Sequence, residues 1–195
     1  MAEHALSLPA GYRIRAYAWT DAAVLAEVEA RASVLFGRFG FPSLVPDSPM
    51  EAAEFHALAT EGETLVAIER SGNPVGYAVT RQIAGFLHLR ELAVDPAHGR
   101  RGVGRALLMK VIAVSAERKL DGVSLSTFRA LSFNEGFYAR HGFLACPLNT
   151  APARLAEQFA AEVPPGIPPE TRLLMLRRNG NRSDSPSPCC LKPIS

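Results

Sequence analysis

The spacing of apolar residues changes at Asp95-Pro96. Before that dipeptide, Phe86 to Val94 (FLHLRELAV) is an apolar run of strand length. After it comes a short basic loop, His98-Gly99-Arg100-Arg101-Gly102-Val103-Gly104. Leu107, Leu108, Val111, Ile112 and Ser115 then recur on one helical face. The pattern predicts strand, loop and helix over residues 86–115. Asp121-Gly122 turns into Val123–Thr127 (VSLST), a short buried strand. If it runs parallel to residues 86–94, the segment is a βαβ unit, right-handed by the general rule.

The remaining pattern fills in around this unit. Residues 12–17 (YRIRAY) alternate and predict a first strand. Thr20 can cap a helix over 21–36, with Val24, Leu25, Val28 and Leu35 on its buried side. Phe36-Gly-Arg-Phe39-Gly-Phe41-Pro42 then breaks regular structure, as a substrate lid or as a loop packing its phenylalanines on the core. Ser48-Pro49-Met50-Glu51 reads as a helix start, with serine as cap, proline in the first turn and Glu51 completing a capping box. That helix should end near Thr60. Thr64–Arg70 and Val75–Ala84 read as a hairpin around Ser71-Gly72-Asn73-Pro74. Downstream, the pattern predicts a short helix over Asn134–His141, a strand at Phe143–Leu148, a helix over 152–162 and a last strand at Arg172–Arg177. From Asn179 onward the chain is rich in Ser, Pro and Asn with little to bury, which predicts a disordered tail over 179–195. The fold class is α/β with a mixed sheet, in one domain over 1–178.

Composition narrows the classes. The 195 residues are 48% hydrophobic and 21% charged, ordinary for a globular protein. A formal net charge of +2 argues against bulk nucleic-acid binding. No signal peptide is visible and no apolar run reaches the roughly 20 residues that span a bilayer, so a cytoplasmic protein without a membrane partner is expected. Cys146, Cys189 and Cys190 do not form a disulfide framework, and no Cys/His spacing marks a metal site.

The loop carries the chemistry. Gly102, Gly104 and three arginines (Arg100, Arg101, Arg105) fall at a helix N-terminus. Unpaired N–H groups point outward there and the helix dipole adds about half a positive charge. A glycine lacks Cβ, so a ligand can approach the backbone. This is a site for a phosphate or diphosphate. The dinucleotide fingerprint is excluded because Leu107 occupies its third glycine position, and a Walker loop because Gly104-Arg105-Ala106 lacks the Lys-Ser/Thr pair.

The same stretch resembles motif A of the GNAT superfamily of acetyl-CoA-dependent N-acyltransferases. Val94-Asp95-Pro96 supplies its turn and Gly102-Val103-Gly104 its G-x-G, although the Q/R position falls on Gly99. Phe137-Tyr138-Ala-Arg-His-Gly142-Phe143 matches the F-Y-x-x-x-G-F ending of motif B. Preceded by Thr127-Phe128-Arg129 and Asn134, it is similar to a bacterial GNAT subgroup. The resemblance implies a twisted sheet of six or seven strands whose fourth and fifth strands splay, with helices on both faces. It implies acetyl-CoA held by the backbone of Arg100, Arg101, Gly102, Val103, Gly104 and Arg105. It further implies pantetheine paired along Leu92, Ala93 and Val94, and a contact from Asn134. It gives Tyr138 the role of general acid toward the leaving thiol.

For the base, His88 and Glu91 are compared. Along a strand 88, 90, 92 and 94 share one face and 91 takes the other. Position 88 is where several GNAT enzymes carry a Glu or His base, and a histidine pKa near 6.5 suits that work. The bland alternatives are a core-edge histidine and a packed tyrosine. The function implied is N-acetylation of a small-molecule or peptide amine by direct attack on the thioester, without a metal. The second reading is a CoA-binding regulatory module without turnover. Homodimers are common in the family, but nothing in this sequence fixes an interface or the acceptor.

Overall fold

The alternating YRIRA segment forms β1 (Tyr12–Ala16), antiparallel to β2 (Glu63–Glu69), with Ile14 opposite Ala67. These elements come from a computed structural model describing residues 8–129, 131 and 133–180. The Ser71–Pro74 turn closes the hairpin to β3 (Pro74–Ile83), Val66 opposite Tyr77, with a register shift at Ala67/Ile68. Contacts divide the chain into two compact units: Met1–Arg81 with Leu89–Val114, and Gln82–His88 with Ser115–Ser195.

In the first unit, α1 spans Ala22–Arg38 and buries Ala22, Leu25, Ala26, Val28 and Ser33. Val24 and Leu35, expected inside, are each 38% exposed. The small residues Ala22, Ala26 and Ser33 set the buried stripe and rotate those two away from it. The helix also runs through Phe36-Gly37-Arg38, where the aromatic loop was expected to break it. α2 (Ala52–Thr60) begins three residues later than the Ser48-Pro49 signal. Its cap is Glu51, whose N–H donates to Glu54 Oε2 at 3.1 Å. Both Ser48 and Glu51 have a glutamate three positions on, and the box that forms is the later one, Glu51 with Glu54. Val28, Phe55, Ala59, Val66, Tyr77 and Val79 form this unit's core, with Phe55 edge-on to Tyr77 at 5.0 Å.

β4 (Phe86–Val94) and α3 (Val103–Glu117) contribute residues to both units. The second unit adds β5 (Gly122–Phe128), α4 (Glu135–Ala139), β6 (Leu144–Cys146), α5 (Ala153–Ala161) and β7 (Arg172–Arg178). β7 pairs antiparallel with both β5 and β6. Hydrogen-bonded neighbours run β1-β2-β3-β4-β5-β7-β6, with β4 and β5 parallel, so the sheet is mixed as the fold class required. β6 is shorter than the apolar run from Phe143 to Leu148, because Pro147 cannot donate to a ladder. Ile83, Phe86, Leu155, Phe159 and Leu174 form the second core.

Asn179 does not begin a loose tail. Its side chain donates to Ser115 Oγ at 2.9 Å and to the Leu120 carbonyl at 3.0 Å. The rest of the expected tail, from 181, lies outside the described residues, as do Cys189 and Cys190. Among the described residues no helix is long and apolar enough to cross a membrane, and no cluster of metal-ligating side chains is found.

β5 and β7 meet closely at Gly122. A Cβ there would lie 2.1 Å from the Arg177 carbonyl oxygen. Gly122→Ala should therefore cost about 2–3 kcal/mol in a denaturant-unfolding experiment. Gly180→Ala, with open space around its Cβ, should leave the midpoint in place.

Candidate functional site

The basic loop becomes a turn between β4 and α3. Asp95 Oδ1 accepts from the Ala97 N–H at 2.9 Å and opens a short 3-10 turn over Pro96–His98. Arg100 and Gly102 then take left-handed conformations, with φ of 56° and 85°. Gly102 caps α3: its carbonyl accepts the first intrahelical bond, from Ala106 N–H at 2.9 Å. The N–H groups of Val103, Gly104 and Arg105 precede that first bond and have no partner within the helix. Val103 is buried and anchors the turn, whereas Arg100, Arg101 and Arg105 are exposed. Two left-handed residues, one apart, lead into a helix start, and helix-start N–H groups are suited to anions. These residues fit the diphosphate of a CoA-type ligand. A Cβ at Gly104 would make only ordinary contact, 3.6 Å from Val94 Cγ2, so its value lies in leaving the backbone open toward a ligand.

Leu92, Ala93 and Val94 are half-buried on β4 just before this turn. Ala93 packs on the core of the first unit. Glu91, next along the strand, accepts a hydrogen bond at Oε1 from the Tyr77 hydroxyl. Tyr77 is wholly buried. Burial first, and the nearby Glu29 carboxylate further, raise the Glu91 pKa from the usual carboxylate value to about 7, against the opposing pull of Tyr77 and Arg90. Burial raises Glu29 as well. Glu91 thus pairs with a neutral phenol. Its titration falls in the range useful to a base at neutral pH.

In the second unit His88 is 0% exposed. Its Nδ1 lies 2.9 Å from Ser124 Oγ and its Nε2 2.9 Å from Glu162 Oε1. Gln158 Nε2 donates to the same carboxylate oxygen at 2.9 Å. Burial opposes ionisation of Glu162, but the bonds from His88 and Gln158 outweigh it and hold its pKa below the ordinary value. Both ring nitrogens of His88 are engaged, so a substrate proton could reach it only through Ser124 or Glu162. Glu162 was missed in the sequence because it lies 74 residues from His88 at the end of a helix that shows only amphipathic spacing.

Tyr138 sits on α4, its ring edge-on to Phe137 at 5.1 Å and to Phe143 at 5.7 Å. Its N–H donates to the Asn134 carbonyl and its own carbonyl accepts from Phe143 N–H. The F-Y-x-x-x-G-F pattern is therefore a packing unit as well as a signature: Gly142 turns the chain with φ of 83° and brings Phe143 back against Tyr138. Burial raises the Tyr138 pKa well above that of a free phenol, so the hydroxyl keeps its proton across the physiological range. Asn134 precedes α4 and is half-buried.

The mixed sheet of this strand order, with a glycine-bearing turn from β4 into α3, defines the chain's α/β class. Residues 35–143 match the model of the acetyltransferase (GNAT) family, and the chain belongs to that family. Over 102 residues it is 37% identical to the mycothiol acetyltransferase of Clavibacter michiganensis subsp. michiganensis. That match covers 49% of this chain, and this chain spans only 33% of that relative's length. The PaiA N-acetyltransferase of Thermoplasma acidophilum, solved in complex with coenzyme A, superposes with a TM-score of 0.61 at 18% identity, covering 86% of this chain and 99% of that one. The ribosomal-protein-S18-alanine N-acetyltransferase of Escherichia coli superposes with a TM-score of 0.60 at 18% identity, covering 89% and 99%. At such identities the superpositions show the fold.

Glu91 supplies a stability test of its own. Its folded pKa lies above its unfolded value, so the folded state binds the extra proton between about pH 4.5 and 7. Its contribution to stability is full below that window and is lost as pH rises through about 7. Glu91→Gln should raise the unfolding free energy at pH 8, by an amount on the order of 2 kcal/mol, and leave it nearly unchanged at pH 4.5. Thermal melts of both proteins across that range check it.

Proposed function

We propose that this chain moves an acetyl group from acetyl-CoA to a primary amine of a small molecule or peptide, by direct attack within a ternary complex. The observation that carries the proposal is the turn after β4, with helix-start N–H groups of Val103, Gly104 and Arg105 beside three exposed arginines. Acetyl-CoA supplies the acyl group as an activated thioester. The backbone of Arg100 to Arg105 holds its diphosphate, and Leu92 to Val94 offer strand backbone to its pantetheine amides. Asn134 contacts the same arm. These assignments of individual residues rest on the motif match.

The protein side of the chemistry has two protons to manage. A primary ammonium has a pKa near 10.4, so freeing its lone pair at pH 7 costs roughly 4–5 kcal/mol. Glu91 is the proposed base, because its pKa near 7 matches the task. His88, enclosed between Ser124 and Glu162, has the weaker claim and could act only as an internal relay. Tyr138 is the proposed donor to the leaving sulfur. A thiol has a pKa near 8.5, below that of this phenol, so the phenol keeps its proton and serves the leaving sulfur by donating a hydrogen bond to the developing thiolate.

Release of CoA thiol, followed with a thiol-trapping dye across a panel of amines, tests the whole reading. CoA binding with no turnover on any amine would favour a regulatory module instead. Tyr138→Phe should lower kcat by about 10²-fold and leave CoA affinity unchanged in calorimetry. Wild-type turnover in that variant would remove the donor role. The kcat/KM profile of the native enzyme should fall on the acidic side of about pH 7. That limb should vanish in Glu91→Gln, and its persistence there would return the base role to His88.

A further inference from the structure

The turn between β4 and α3 is exposed and strained. Pro96, Ala97, Gly99, Arg100, Arg101 and Gly102 are all exposed. Arg100 holds a left-handed conformation, which costs a non-glycine residue about 1–2 kcal/mol. Such a turn keeps one shape only when its surroundings dictate it.

Two side chains from far upstream do so. Asp95, at the start of the turn, presents its second carboxylate oxygen to Arg31 of α1. Arg31 Nε lies 2.9 Å and Nη2 2.8 Å from Asp95 Oδ2. The Asp95 side chain is 14% exposed and that of Arg31 46%, so the pair is shielded on the carboxylate side only. Arg31 is held in turn by Glu27, one helical turn back, at 3.2 Å. The middle of the turn is fixed from β1. The Tyr12 hydroxyl lies 2.9 Å from His98 Nδ1, and the two rings meet edge-on at 5.8 Å. Arg101 Nη1 donates to the same Tyr12 oxygen at 3.4 Å. Tyr12 therefore accepts from Arg101 and has its own hydrogen free to give to His98. Neither Arg31 nor Tyr12 falls within residues 35–143, the segment matched by the family model. They are features of this chain outside the shared motif.

We propose that Arg31 and Tyr12 are positioning residues that preassemble the diphosphate turn. They touch no ligand. They hold Asp95 and His98 so that the donors of Val103 to Arg105 are aimed before the ligand arrives. The affinity this provides comes from ordering that is already complete in the free protein. Arg31 also neutralises Asp95, the only carboxylate in the turn sequence DPAHGRRG, which would otherwise oppose a polyanion.

The inference rests on acetyl-CoA being the ligand, and the experiment separates the two ideas. CoA binding is measured by calorimetry, and steady-state kinetics are run with acetyl-CoA and with S-acetylpantetheine, a donor lacking the diphosphate. Arg31→Met should weaken CoA binding and raise the acetyl-CoA KM about tenfold, with kcat at saturation kept. Tyr12→Phe should raise it about threefold, and Arg31→Lys should recover part of the loss. With S-acetylpantetheine, kcat/KM should be the same in all of these proteins. The pair Arg31→Met with Asp95→Asn, which removes both charges and keeps a capping side chain, should remain impaired. Its return to wild-type affinity would overturn positioning in favour of charge alone. Equal losses with both donors would overturn it in favour of general destabilisation, and unchanged CoA binding in Arg31→Met would overturn it outright. A wild-type protein that does not bind CoA would instead remove the acetyltransferase reading on which the inference stands.

Discussion

An α-helix begins with N–H groups it cannot use, and this protein is built to keep one such helix start open. The first three residues of α3 precede the first intrahelical bond, from Ala106 to Gly102. Most helix starts satisfy these donors with a capping side chain, as α2 does in part with Glu54. Here the cap position is a glycine with no side chain to offer, and the two residues before it are arginines. The capping carboxylate of the region, Asp95, serves the 3-10 turn before the helix. The N–H groups of Val103, Gly104 and Arg105 thus precede the first bond of α3 and have no acceptor within the helix itself.

Two half-buried carboxylates show how the same cost is met in opposite ways. Glu162 is enclosed with His88 and Gln158 directed at one oxygen, and its pKa stays below normal. Glu91 is enclosed with a phenol for a partner and a second carboxylate nearby, and its pKa rises to about 7. Burial opposes ionisation in both. The difference is the partner set: Glu162 is given enough donors to stay charged, whereas Glu91 is left near balance. A carboxylate near balance at neutral pH is poorly placed for stability and well placed for proton exchange. A histidine with both nitrogens engaged is well placed for structure and poorly placed to meet a substrate. That contrast is why the proposed mechanism favours residue 91 over residue 88 as the base.

Much of this was readable in the sequence where one period ruled. β4 and the buried face of α3 follow directly from the apolar spacing, and Ser115 could be buried because its hydroxyl reaches the Gly122 carbonyl at 2.8 Å. The reading failed where small residues carried the pattern. On α1 the alanines and Ser33 mark the inside, while Val24 and Leu35 look apolar but face out. The Tyr77–Glu91 bond was out of reach for a different reason. Counting from a two-residue turn at Ala84-Gly85 places Ala78, not Tyr77, opposite Glu91, and strict alternation would send Tyr77 and Glu91 to opposite faces. The observed bond means that alternation is broken between the turn and Glu91. Sequence does not show a break of that kind, and the comparison of His88 with Glu91 depended on its absence.

The same limit explains why the motif was legible and its support was not. A G-x-G before a helix is local, and local geometry demands those residues wherever the turn occurs. The side chains that hold the turn obey no such spacing. Arg31 reaches Asp95 across 64 residues, and Tyr12 reaches His98 across 86. Many other residues could have been placed to do the same work, so no short pattern records the choice. A local motif can thus be read from spacing alone, while the long-range contacts that hold its turn can be read only from the folded chain.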